Sequence, residues 1–301
     1  MTTPYDEIPA ELRDELATAG LDPRQIYDAV ALAIREDLPE PGDQDATSVA
    51  TVPADATGIG VFAARQEGVI AGLGVAALVF HYVLGDRVKV TDRVPDGTPV
   101  APGDVVMTVA GPTRGLLTAE RTALNYATHL SGIATATAQW VAALAGTGAT
   151  VLDTRKTLPT YRALQKYAVR CGGGHNHRFS LADMALVKDN HVVAAGGVVP
   201  AYRAVRERFP DLPVEVEVDS LDQLRELLDA GCGHVLLDNM GPETLREAVA
   251  LNAGRAVLEA SGGLTLERAR AVAETGVDWI SVGALTHSVT VFDIGLDLRE
   301  G

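Results

Sequence analysis

Residues 214–239, VEVEVDSLDQLRELLDAGCGHVLLDN, decide the fold. VEVEV and HVLL are short apolar runs, and the gap between them holds the amphipathic helical sequence LDQLRELLDAG. Strand, helix and strand at this spacing make a βα unit, which belongs to a parallel sheet. The rhythm extends in both directions. Further apolar runs lie at 150–152, 184–187, 256–258 and 279–282, with PETLREAVALNAG and LERARAVAETG in two of the gaps. Six such runs, with no glycine-rich dinucleotide fingerprint after the first, favour an α/β barrel over a doubly wound sheet.

The residues just after each run point to a site. Asp153-Thr154-Arg155-Lys156 come after the first run, and Lys188-Asp189-Asn190-His191 after the second. Glu217 and Asp219 end the third, and Asp238-Asn239 the fourth. Glu259-Ala260-Ser261-Gly262-Gly263 come after the fifth and Gly283-Ala284 after the sixth. Each alone could be a helix cap. Together, at the strand ends where α/β barrels locate chemistry, they predict a lined pocket.

Upstream the texture differs. Residues 5–38 carry a helical pattern, with Ile26, Val30 and Ile34 spaced by four. Residues 57–116 hold short extended runs with turns at Pro95-Asp96-Gly97 and Pro102-Gly103-Asp104. A long helical segment comes next. Residues 1–117 therefore read as a small α/β domain packed around an apolar helix at 69–84. That stretch is too short for a membrane span, which needs about 20 apolar residues.

Bulk properties narrow the partners. A net charge of -15 disfavours a nucleic-acid backbone or an anionic membrane. The two cysteines, Cys171 and Cys232, have no paired spacing, which suggests a reducing compartment. The acidic, polar N-terminus is unlike a targeting peptide, so a cytoplasmic location is expected.

Against the acidic background, the segment from Thr154 to Lys188 carries Arg155, Lys156, Arg162, Lys166, Arg170, Arg178 and Lys188, with Asp183 the lone acid. Arg162, Lys166 and Arg170, spaced by four, read as a solvated helix stripe. Arg155, Lys156, Arg178 and Lys188 sit beside strand ends or the Gly172-Gly173-Gly174 loop and are expected to bind an anion. His175 and His177 have no third ligand at suitable spacing for a metal. Gly262-Gly263 and Gly283 offer backbone amides before helices, a phosphate-binding signal.

In order and approximate spacing, ERTALN (120–125), DTRKT (153–157), CGGGHNHR (171–178), KDNH (188–191), EVEV (215–218), LDNM (237–240), EASGG (259–263) and SVGALTHS (281–288) resemble quinolinate phosphoribosyltransferase, the carboxylating nicotinate-nucleotide pyrophosphorylase. The resemblance implies an N-terminal, hammerhead-like α/β sandwich plus an incomplete α/β barrel of the type II phosphoribosyltransferase kind. The sandwich would span 1–128, joined by a returning C-terminal segment at 288–301, and the barrel 129–287. It implies transfer of phosphoribosyl from phosphoribosyl pyrophosphate to quinolinate with loss of CO2, using Mg2+, in a homodimer. By the same resemblance, Arg121 from the partner, with Arg155, His177, Arg178 and Lys188, would hold quinolinate. Lys156 would face the pyrophosphate, and Glu217 and Asp238 the ribose hydroxyls and the Mg2+ shell, directly or through water. Ser261, Gly262, Gly263 and Gly283 would receive the 5′-phosphate.

Rival readings stay open here. A nicotinate phosphoribosyltransferase would need fewer cations and usually couples to ATP, for which no P-loop pattern exists in the chain. A paralogue linked to molybdate transport shares the implied fold. The run DGTPVAPGDVVMTVAG resembles a lipoyl or biotinyl hairpin, but the first 155 residues contain only Lys89, in a strand-like run. A non-catalytic phosphosugar-binding regulator would explain the glycines but not the converging cations.

Overall fold

A computed structural model describes residues 2–300. In chain order its elements begin with α1 (Ala10–Thr18), α2 (Pro23–Asp37), α3 (Ala46–Thr51), β1 (Thr57–Ala64), β2 (Gly68–Val69), α4 (Leu73–Leu84), β3 (Lys89–Thr91), β4 (Pro99–Val100), β5 (Val105–Pro112) and α5 (Thr113–Ala143). They continue with β6 (Thr150–Leu152), α6 (Arg162–Cys171), β7 (Ala185–Val187), α7 (Asp189–Ala195), α8 (Val198–Arg208), β8 (Val214–Val218), α9 (Leu221–Asp229) and β9 (His234–Asp238). The chain ends with α10 (Pro242–Asn252), β10 (Val257–Ser261), α11 (Leu266–Ala273), β11 (Trp279–Ser281), α12 (Ala284–His287) and β12 (Ile294–Glu300).

One compact unit comprises residues 1–135, 163–172 and 289–301. Its antiparallel sheet has the order β12-β1-β5-β3, so the last strand returns to pair with the first, Ala64 opposite Ile294. α2 forms where the spacing predicts: Asp22 caps it, accepting from the amides of Arg24 and Gln25, and Ile26, Val30 and Ile34 are buried. The apolar helix starts later than expected, at Leu73, because Gly72 adopts φ +88° and turns the chain. A side chain there would also meet Leu130 at 2.6 Å. Asp96, from the expected turn, caps this helix: its carboxylate accepts from the amides of Gly72 (2.7 Å) and Leu73 (3.1 Å) and from the Tyr167 hydroxyl (2.7 Å). Phe62 and Phe80 meet edge-on in the core, with ring centroids 5.8 Å apart.

The solvated stripe on α6 is corrected by the structure. Arg170 is exposed, but Lys166 is fully buried, as are Leu164, Gln165, Ala168 and Val169 of the same helix. Regular spacing identifies one face of a helix; it does not say which face meets solvent. The segment 163–172 packs within this first unit.

The other unit, residues 136–162 and 173–288, is built on a six-stranded parallel sheet. Its order is β6-β11-β10-β9-β8-β7, leaving β6 and β7 as the two free edges, as in an incomplete barrel. Extended chain partly fills that opening. The amide of His175 donates to Val151 O (3.0 Å), and His175 forms a parallel bridge with Leu152 on β6. Arg178 Nη1 donates to Met184 O (3.1 Å), just before β7.

Strand alternation explains what faces inward. In β8, Val214, Val216 and Val218 share one face and Glu215 and Glu217 the other. In β10, Glu259 and Ser261 share a face opposite Leu258 and Ala260. The fifth strand runs on to Ser261, past the apolar run at 256–258, so Glu259 is a buried strand residue rather than the start of a loop.

Candidate active site

The inward side chains and the loops after the strands enclose a cavity of about 680 Å³. Arg155, Lys156, His177, Arg178, Lys188, Glu217, Asp238, Ser261, Gly262, Gly263 and Gly283 all line it. Thus every expected site residue except Arg121 reaches one cavity within the barrel unit. Arg121 lies on α5, exposed, in the other unit.

Two cations line this cavity together, Arg155 and Arg178. Burial first, and then the neighbouring Arg155 guanidinium, lower the proton affinity of Arg178. Arg155 Nε is buried without a hydrogen-bond partner among the described residues. Neighbouring like charges and a buried donor without a partner are costly on their own. An anionic ligand with several oxygens relieves both.

The remaining groups are held from behind. Fully buried Asp153, at the end of β6, accepts from the His177 amide (2.9 Å) and Asn176 Nδ2 (2.6 Å). Lys156 N donates to Thr154 Oγ1 (3.0 Å), and Thr286 Oγ1 donates to Lys156 O (2.8 Å). Lys188 Nζ, half exposed, donates to Glu217 Oε2 (2.6 Å), while Lys188 N donates to His191 Nδ1 (2.9 Å). Asp183 organises the loop after Arg178 by accepting from the Phe179 and Ser180 amides, which outweigh burial and lower its pKa.

Gly262 and Gly263 are left-handed, with φ +96° and +56°. A Cβ on Gly262 would lie 2.3 Å from Asn239 Oδ1, and one on Gly283 2.9 Å from Lys156 Cδ. These glycines make room for the site's side chains as well as exposing amides. Contrary to the sequence expectation, Gly263 does not directly precede α11, which starts at Leu266. Asn239 itself, at φ +55°, donates to Asp238 Oδ2 (2.8 Å).

His177 has an environment that spacing could not show. Its Nε2 lies 2.9 Å from Glu215 Oε2 and 3.2 Å from Glu259 Oε2, and its Nδ1 accepts from the Arg178 amide at 2.7 Å. Both glutamates are buried, at 0% and 1% exposure. Burial, reinforced by the nearby Glu259 charge, pushes the Glu215 carboxyl up to about 7 against the opposing His177 hydrogen bond. Burial opposes a charge on His177, but the hydrogen bonds and charges of Glu215 and Glu259 outweigh it and raise the ring to about 9, a pull that the occupied Nδ1 resists. The Arg178 amide already occupies Nδ1, so the geometry is that of a neutral ring with its proton on Nε2.

Thr154, Asn239, Glu259, Ser281 and His287 also line the cavity and were not among the expected ligands. Asn239 and Glu259 lay inside quoted motifs; His287, near the end of SVGALTHS, gave no separate signal.

The chain matches two family models in tandem. The quinolinate phosphoribosyl transferase N-terminal domain matches residues 45–131, and the C-terminal domain of the same family residues 133–297. A nicotinate-nucleotide pyrophosphorylase [carboxylating] of Mycobacterium leprae is 53% identical over 275 residues, covering 90% of this chain and 96% of that protein. The crystal structure of NadC from Streptococcus pyogenes superposes with a TM-score of 0.88 at 39% identity, covering 93% of this chain and 98% of that one. The nicotinate-nucleotide pyrophosphorylase structure from Francisella tularensis gives 0.86 at 33% identity, covering 99% and 100%. With both family domains matched in order and relatives similar over nearly their whole length, the chain belongs to the quinolinate phosphoribosyltransferase family.

Proposed function

We propose that this protein transfers phosphoribosyl from phosphoribosyl pyrophosphate to quinolinate and decarboxylates the adduct, giving nicotinate mononucleotide, pyrophosphate and CO2 for NAD biosynthesis. The observation that carries this reading is that Arg155 and Arg178 line one cavity, with the buried Arg155 Nε left without a partner among the described residues. Quinolinate offers two adjacent carboxylates to such a pair, and bidentate pairing suits both partners. Lys188 completes the clamp within the chain. Arg121 of a second copy completes it from outside, so the working unit is a homodimer acting in the cytoplasm.

The other groups divide along the donor. Lys156 meets the pyrophosphate as a point charge. Ser261, Gly262, Gly263 and Gly283 take the 5′-phosphate. Glu217 and Asp238 face the ribose hydroxyls, and their oxygen-only donor set fits a hard divalent cation that keeps some water. Mg2+ held there would neutralise charge on the departing pyrophosphate. The same carboxylates stabilise positive charge developing at the anomeric carbon.

The pyridine nitrogen lone pair forms the new bond to that carbon as its bond to pyrophosphate oxygen breaks. The ring nitrogen is then cationic and accepts the electron pair released when the C2 carboxylate leaves as CO2. A solvent proton restores C2. No covalent enzyme intermediate is required, so the protein contributes positioning and electrostatics. Quinolinate labelled on its C2 carboxylate should release labelled CO2 only when phosphoribosyl pyrophosphate is present. No release with both substrates would overturn the reading.

A further inference from the structure

We propose that Glu215 and Glu259 are positioning residues, and that through them His177 acts as a brace beneath the carboxylate clamp rather than as a direct ligand of the substrate. The inference rests on the function proposed above and assigns work to two residues that carried none. Both glutamates are buried, and Glu215 Oε1 and both carboxylate oxygens of Glu259 have no hydrogen-bond partner among the described residues. Two buried, incompletely satisfied carboxylates are a poor way to stabilise a barrel. They converge from β8 and β10, on either side of β9, on the same imidazole nitrogen.

The contacts run in one direction. Glu215 Oε2 receives Nε2–H at 2.9 Å and the Glu259 carboxylate lies 3.2 Å from the same nitrogen, which fixes the ring, and Nδ1 then accepts from the Arg178 amide at 2.7 Å. Asp153 holds the His177 amide from the other side. The backbone that carries the Arg178 guanidinium is thus pinned at consecutive residues, across the opening between the two edge strands. With both ring nitrogens engaged inside the protein, neither remains for a substrate carboxylate.

The same His–Glu–Glu set brings three ligand atoms within 4.8 Å of one another, a spacing that could hold a metal ion. The Arg178 amide at Nδ1 argues against it. A neutral imidazole that accepts at Nδ1 keeps its proton on Nε2, and a protonated nitrogen does not ligate.

The test is nitrogen-15 NMR of histidine-labelled full-length protein at neutral pH, with His177 assigned through His177→Gln. The expected wild-type result is the Nε2–H tautomer with an accepting Nδ1. In Glu215→Gln and Glu259→Gln that preference should weaken. The KM for quinolinate should rise by about tenfold or more while that for phosphoribosyl pyrophosphate stays within about threefold. Melting temperatures should be unchanged or raised. An Nδ1–H tautomer in the wild type, or a stoichiometric metal bound through Nε2, overturns the brace even if neither variant folds. Unchanged tautomer and kinetics in both variants also overturn it. If the wild type shows the expected tautomer but does not consume quinolinate, the functional reading fails instead.

Discussion

Arg178→Ala separates the cost of the site from its use. In the free protein the Arg178 guanidinium donates to Met184 O at 3.1 Å, a bond worth about 1 kcal/mol. Against that, burial and the Arg155 charge outweigh the attraction of Glu215 and Asp183 and lower its proton affinity. Removing it loses a hydrogen bond and relieves a repulsion, so stability should change by no more than about 1 kcal/mol. With substrate bound the balance reverses. A bidentate carboxylate pair makes two charge-assisted hydrogen bonds of about 1.5–2 kcal/mol each, together about 3–4 kcal/mol. At 1.4 kcal/mol per tenfold, kcat/KM for quinolinate should fall by about 140- to 700-fold. Steady-state assays varying each substrate, alongside thermal melts, give the comparison. Arg178→Lys should recover part of the loss, because it restores charge without the planar fork. A kcat/KM for quinolinate within about threefold of wild type, or an equal loss against both substrates, would refute the clamp.

Four further outcomes are expected from other parts of the molecule. Arg121→Ala and Lys188→Ala, each inactive alone, should partly regain activity when mixed, since some mixed dimers keep one intact site; verified subunit exchange without recovery counts against sharing. Gly262→Ala places a methyl group 2.3 Å from Asn239 Oδ1 at φ +96°, so it should destabilise by about 1–3 kcal/mol and raise the KM for phosphoribosyl pyrophosphate. Burial, with the nearby Asp96 charge, pushes Cys171 up to about 12, and burial pushes Cys232 up to about 11, so near neutral pH alkylation of the folded protein should be slower than that of the unfolded chain by about 100-fold or more. His129 is held below its ordinary pKa by burial, so the unfolded state takes up its proton first and the stability it contributes is lost as pH falls through about 6.5. His129→Gln should therefore lose less melting temperature than wild type between about pH 7.5 and 5.5; parallel curves would refute the assignment.

The βα rhythm was legible because buried parallel strands leave short apolar runs between amphipathic helices, and VEVEV and HVLL hardly admit another reading. Polar residues at strand ends then marked the cavity, and Arg155, Lys156, Arg178, Lys188, Glu217 and Asp238 do line it. Direction was not legible. Lys166 shares its spacing with Arg162 and Arg170, yet it points into the core. His177 lines the cavity, but the two glutamates beside it come from strands later in the chain, which no local spacing could show. Glu259 read as a loop residue because the apolar run ends before the strand does. Local patterns fix which elements form; which polar side chain turns inward is settled by tertiary contacts no local pattern contains.

The central claim is that this site is built for two carboxylates and discards one. The most direct measurement offers quinolinate and nicotinate separately with phosphoribosyl pyrophosphate and Mg2+, and quantifies nucleotide, pyrophosphate and CO2. Quinolinate should give nicotinate mononucleotide with matching pyrophosphate and CO2, while kcat/KM for nicotinate should be lower by about 100-fold or more. Comparable turnover of nicotinate, or a nucleotide product that keeps both carboxylates, would contradict the account.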